Sequence, residues 1–234
     1  MRSGPKTSFA STPPKRARRG LGFIALALLV SLHAAWTGKE KRVKVTINKP
    51  VVETRLFDPS GPRPPGMPAL KGNERAVCTA AFDDGAGVRC AFQKTGFEPA
   101  KLAAQFSDID VETRLRIVIW LPRGYTQHDK DHEEAHARIA ERVYDELAEK
   151  AARQVGAKYL GRKTRQFLMY EDYQKLAKEA TGQAAAEISR EWFKIVAGEA
   201  GRVNGRFDEL TSHGQKDVPL DKAIEQAFAK DRAT

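Results

Sequence analysis

The sequence predicts an α+β fold, an N-terminal antiparallel β region followed by a helical half. Three observations carry this. Val111, Thr113, Leu115, Ile117 and Ile119 alternate with mostly charged neighbours over residues 111–122, the period of a half-buried strand. From about Asp129 to Val155 there is no Pro, and Ala, Glu, Arg and Lys dominate, as in a long helix. Strand patterns come first and helical patterns later, where an α/β chain would alternate them. A chain of 234 residues, 41% hydrophobic, is long enough for one globular domain with a substantial core.

In chain order, residues 1–35 come first. Arg2, Lys6, Lys15, Arg16, Arg18 and Arg19 are basic, and no acidic residue precedes residue 36. Residues 20–35, GLGFIALALLVSLHAA, are apolar apart from Ser31 and His33. This is the charge and hydropathy order of an export signal, and the run is short against the roughly 20 residues of a membrane span. Neither Ala34 nor Ala35 has a small residue two positions before it, so a cleaved signal and a retained inner-membrane anchor both fit. The bulk of the chain is exported in either case, to the periplasm or beyond. The net charge of +10 rests largely on this leader: taking its six basic residues from 40 leaves 34 against 30 acidic ones. No basic stripe interleaved with aromatics follows, and no nucleic-acid partner is expected.

Residues 41–57 are rich in Val, Ile and Thr and read as extended. PSGPRPPGMP, residues 59–68, has five prolines and is a loop. Cys78 and Cys90 flank Asp83-Asp84-Gly85-Ala86-Gly87, which reads as a hairpin turn; in an exported chain this predicts a Cys78–Cys90 disulfide. FEPAKLAAQF reads as a short helix, and the strand of residues 111–122 ends at Pro122. The long helix from Asp129 is followed by a polar connector, KYLGRKTRQF. Helical pattern resumes from about Tyr170 to Ala180, is interrupted by Thr181-Gly182, and returns from Gln183 to about Val203. The predicted organisation is a leader (1–35), a main domain (36–214) and a C-terminal amphipathic helix or tail (215–234).

The chemistry concentrates in HDKDHEEAH, residues 128–136, where His132, Glu133 and His136 spell H-E-x-x-H. On a helix, residues four apart share a face, so both imidazoles can grip one Zn²⁺ while the adjacent Glu serves as general base. His132, His136, Ile139, Val143 and Leu147 form one stripe, which turns the two histidines toward the protein body. A chance match is expected roughly 0.006 times in a chain of this composition. Two inward imidazoles on an aliphatic stripe also need a polar partner, and a shared metal supplies one. The helical half is therefore zincin-like, with catalytic Glu133.

A catalytic zinc site needs a third ligand and an open position. Glu187 and Glu191 on the later helix are candidates, but they sit in an ordinary amphipathic pattern. His213 is preferred: it follows a helical run in a Ser-His-Gly turn that can aim its ring back at the body, with Asp208 and Thr211 near enough to orient it. Tyr125, Tyr170 and His128 are candidate oxyanion helpers.

Trp120-Leu121-Pro122 ahead of the metal helix, H-E-x-x-H, and the closing Phe207-Asp208-x-Leu210-Thr211-x-His213-Gly214 together resemble a bacterial family of uncharacterised, predicted secreted zinc-dependent proteases, a domain of unknown function closed by Y-D-x-x-T-x-H-G. Phe207 stands where that family has Tyr, and Ala135 where it tends to have Gly. The resemblance spans about residues 43–214. It implies a secreted or periplasmic zinc metallopeptidase acting on a protein or peptide. A non-enzymatic envelope protein with a structural or binding metal is the alternative; Glu133 discriminates, because a structural site has no use for a carboxylate there.

Overall fold

The structure, a computed structural model, describes residues 42–229 apart from 73, 96–100 and 169–171. The predicted leader lies outside the described residues. The axis of the fold is β4 (Lys101–Pro122), which contains the alternating segment of residues 111–122. β3 (Val77–Thr95) runs antiparallel along one edge of β4, from Val77 opposite Trp120 to Thr95 opposite Lys101. The other edge is lined in tandem by β5 (Lys163–Leu168), antiparallel, and by β1 (Arg42–Ile47) and β2 (Val51–Phe57), both parallel to β4.

The expected antiparallel N-terminal region is thereby corrected. β1 and β2 act as one extended segment broken at Asn48–Pro50. Asn48 ties the break to β4 through its Nδ2, which donates to Glu112 Oε1 and to the Thr113 carbonyl, both at 3.0 Å. After β2 the proline-rich loop carries the chain across the outer face of the sheet, where Met67 packs with Phe57 and Trp120. The chain then returns as β3 on the far edge, so β2 and β4 point the same way. No local pattern encodes that choice.

The predicted turn at Asp83–Gly87 lies inside β3, facing Arg114 to Asp110 of β4. Cys78 and Cys90 consequently sit on one strand, both as free thiols. Twelve residues of strand span roughly 40 Å, against the roughly 7 Å that a disulfide bridges between Cα atoms. The predicted disulfide is corrected on this ground. The FEPAKLAAQF helix is corrected as well, since Lys101–Phe106 open β4, and part of the connector forms β5.

The helices cover the face of β4 that carries Ile109, Val111, Leu115, Ile117 and Ile119, all buried. α1 (Gln127–Tyr159) lies on β4 and β1. It approaches β1 so closely at Gly156 that a Cβ there would stand 2.7 Å from Val43 Cγ1. α2 (Tyr173–Thr211) packs on α1 and β3, with Ile188, Trp192, Val196, Val203 and Phe207 fully buried. Thr181-Gly182 do not interrupt it: Ala177 and Ala184 on either side are buried, and their packing outweighs the ~1 kcal/mol cost of a helical Gly. α3 (Leu220–Phe228) buries Ala223, Ile224 and Ala227 and pairs Asp221 and Glu225 with Arg138 and Arg142 of α1.

Candidate metal centre

α1 starts with a capping box in which Thr126 Oγ1 accepts from the Asp129 N–H and Asp129 accepts from the Thr126 N–H. The cap is Thr126, with Asp129 in the reciprocal place. This start places His132 and His136 one turn apart on the buried side, with exposures of 7% and 8%. Opposite them stands the last stretch of α2, where Asn204, Phe207, Asp208 and Thr211 share a face.

Three donor atoms converge between the helices. His136 Nε2 lies 3.2 Å from His132 Nε2 and 3.0 Å from Asp208 Oδ1, and His132 Nε2 lies 3.6 Å from the same oxygen. Ligands about 2.0–2.1 Å from a tetrahedral centre stand about 3.3 Å from one another, and the three separations bracket that value. The cluster His132, His136 and Asp208 can therefore hold a metal ion. Proton placement points the same way. The Asn204 amide is oriented by its Nδ2, which donates to the Ala200 carbonyl at 2.9 Å, so its Oδ1 faces His136 Nδ1 at 2.6 Å and must accept from it. With one proton on Nδ1, the Nε2 of His136 can face the carboxylate only through a positive group, a second proton or a metal ion. His132 Nδ1 is buried and without a partner among the described residues, so Nε2 is the atom this ring brings to the cluster. Phe207 completes the wall, stacked on His132 with centroids 5.2 Å apart and edge-on to His136 at 5.1 Å.

Without a cation the charges compensate one another. Burial favours neutral His136, but Asp208 outweighs it and holds that imidazole above its ordinary pKa. Burial alone would raise Asp208; hydrogen bonding to both imidazoles drives it well below the usual carboxylate range instead. His132, where burial prevails, is lowered. Glu133, 7% exposed, is pushed up to about 7 by burial, with Asp208 adding to the rise and His136 and the Cys78 backbone N–H opposing it. A carboxyl in that range can take and return a proton near neutral pH.

Asp208, and not the expected third ligand His213, is the residue that the structure brings to the histidine pair. α2 runs about two turns further than the sequence pattern indicates, through Thr211, so Asp208 still faces inward and His213 falls beyond the cap. Its side chain is 44% exposed at the rim, with Nδ1 3.8 Å from Asp208 Oδ2. Glu187 and Glu191 are engaged elsewhere: Glu187 accepts from Gln183 and faces Arg162, and Glu191 accepts from Lys158 and Tyr159. Tyr125 is exposed in the loop before α1, Tyr170 lies outside the described residues, and His128 Nε2 donates to the Gly214 carbonyl. Asn204 is the residue the sequence reading misses. Its four-residue spacing from Asp208, repeating that of His132 and His136, was the available signal. Comparison with family models, with curated proteins and with solved structures gives no match.

Proposed function

We propose that this chain is a zinc-dependent hydrolase, a metallopeptidase of the cell envelope, in which His132, His136 and Asp208 hold the metal and Glu133 is the general base. The observation that carries the reading is the convergence of two Nε2 atoms and one carboxylate oxygen beside a buried carboxyl of raised pKa. Two imidazoles and one carboxylate are the nitrogen and oxygen donors of a catalytic zinc site, with a position left for substrate. A zinc ion there would polarise a substrate carbonyl and acidify a water. Glu133 takes a proton from the attacking water and returns it to the leaving amine. Asn204 fixes the His136 tautomer, and Phe207 keeps both rings in place while excluding bulk solvent. The resemblance to the predicted secreted zinc-dependent proteases belongs to this proposal, as does export by residues 1–35.

The experiment is peptide hydrolysis by wild type and Glu133→Gln, each with its zinc content measured. The variant is expected to keep the metal and lose activity by roughly 10²–10⁴-fold. Full activity in Glu133→Gln, or no hydrolysis by zinc-loaded wild type across a broad peptide library, removes the enzyme. The Cys78 N–H contact to Glu133 favours a second reading, a structural metal site with Glu133 as a buried tie between α1 and β3. That reading predicts zinc-dependent stability with no hydrolysis.

A further inference from the structure

Past its last helical residue, α2 enters three consecutive left-handed residues: Ser212 (φ 50°), His213 (φ 54°) and Gly214 (φ 72°). Two of them are not glycine, a backbone that usually costs energy and persists only where its surroundings fix it. The surroundings do fix it. The His213 N–H donates to the Asp208 carbonyl at 2.8 Å, the Gly214 N–H to Thr211 Oγ1 at 3.4 Å and the Lys216 N–H to the Thr211 carbonyl at 3.0 Å. His128 clamps the Gly214 carbonyl from the start of α1.

This turn touches two of the three converging residues. Gly214 lies flat on the His132 ring, where a Cβ would come within 3.0 Å of Cγ. His213 brings Nδ1 to 3.8 Å from Asp208 Oδ2, the oxygen turned away from the histidine pair. A carboxylate that ligates a metal through one oxygen is normally held by a hydrogen bond at the other. The left-handed turn brings the His213 imidazole to the side of Asp208 Oδ2, 3.8 Å away, where a small movement of the ring closes a hydrogen bond.

We infer that His213 is a positioning residue, with Nδ1–H donating to Asp208 Oδ2 so that Oδ1 alone is presented to the metal. This rests on the metal-site reading and reverses the roles that the sequence suggests: Asp208 ligates, and His213 orients it.

The test is zinc affinity of the full chain, measured by competition with a chromophoric chelator, with Co²⁺ absorption as a second readout. His213→Gly removes the imidazole while easing the left-handed backbone. His213→Asn keeps an N–H at the place of Nδ1 and is the side chain that best tolerates this backbone. His213→Gly is expected to bind zinc 10–100-fold more weakly, with the Co²⁺ band keeping its wild-type position at saturation, and His213→Asn is expected to recover affinity to within about threefold. Wild-type affinity in His213→Gly overturns the inference. Equal weakening in both variants with a shifted Co²⁺ band also overturns it, by making His213 itself a ligand. Wild type that binds no zinc sinks the metal-site reading instead.

Discussion

Burial holds Glu133 as a neutral carboxyl up to about pH 7, whereas in the unfolded chain it ionises near 4.5. The sign follows from linkage. With the folded pKa raised, the stability present below 4.5 is lost as pH rises to about 7, a loss of roughly 3 kcal/mol at 1.36 kcal/mol per pH unit. Glu133→Gln keeps the shape and removes the ionisation. The metal-free variant is therefore expected to match wild type at pH 4 and to be more stable at pH 8, by up to about 3 kcal/mol in urea melts. Parallel pH profiles for the two proteins would refute this account of Glu133. Asn204 gives a second prediction at the same scale. Asn204→Ala leaves His136 Nδ1 buried without its acceptor and frees the tautomer, so zinc affinity is expected to fall 10–100-fold in chelator competition. Unchanged affinity would show that the Asn204 amide does not orient the ligand.

At the scale of elements, α1 meets β1 at Gly156, where Val43 Cγ1 occupies the space of a Cβ. Gly156→Ala must displace either the helix or the strand and is expected to destabilise by about 1–3 kcal/mol, the cost of overpacking. Val43→Ala in the same chain should recover part of that loss, and additive effects in thermal melts would place the clash elsewhere. The elements that the sequence reveals are those whose pattern is local. The alternation of Val111 to Ile119 marks β4, and the His132, His136, Ile139, Val143 stripe marks the buried face of α1. What it hides is set by distant partners. Asp83–Gly87 has turn composition, yet β4 pairs with it residue by residue and keeps it extended. Thr181-Gly182 resembles a break, yet buried Ala177 and Ala184 carry the helix through. That same continuity decides which residue meets the histidine pair: once α2 is read as unbroken through Thr211, Asn204 and Asp208 fall on the inward face and His213 cannot.

For the whole molecule, the candidate metal cluster joins two helices that sequence separates, since His132 and His136 come from α1 and Asp208 from α2. A cation there would cross-link the start of one to the end of the other, so zinc is expected to stabilise the fold by mass action, about 2.7 kcal/mol at a concentration of 100 Kd. The size of the effect should depend on pH in a fixed direction. In the metal-free chain, raised His136 contributes stability that is present below its unfolded pKa of 6.5 and is lost as pH rises through its folded value. Lowered Asp208 contributes stability present above its unfolded pKa of 3.8 and lost as pH falls below it. Between those two unfolded values the proton on His136 does the work of a cation, and zinc must displace it to bind. Above them that proton is held less and less firmly as pH approaches the folded His136 value of about 9, so zinc meets a progressively weaker competitor. The gain in Tm on adding zinc is therefore expected to be small at pH 5.5 and large at pH 8. The measurement is a pair of thermal melts, with and without zinc, at each pH. A gain that shrinks from pH 5.5 to pH 8 would mean that the His136–Asp208 pair is not where the metal binds.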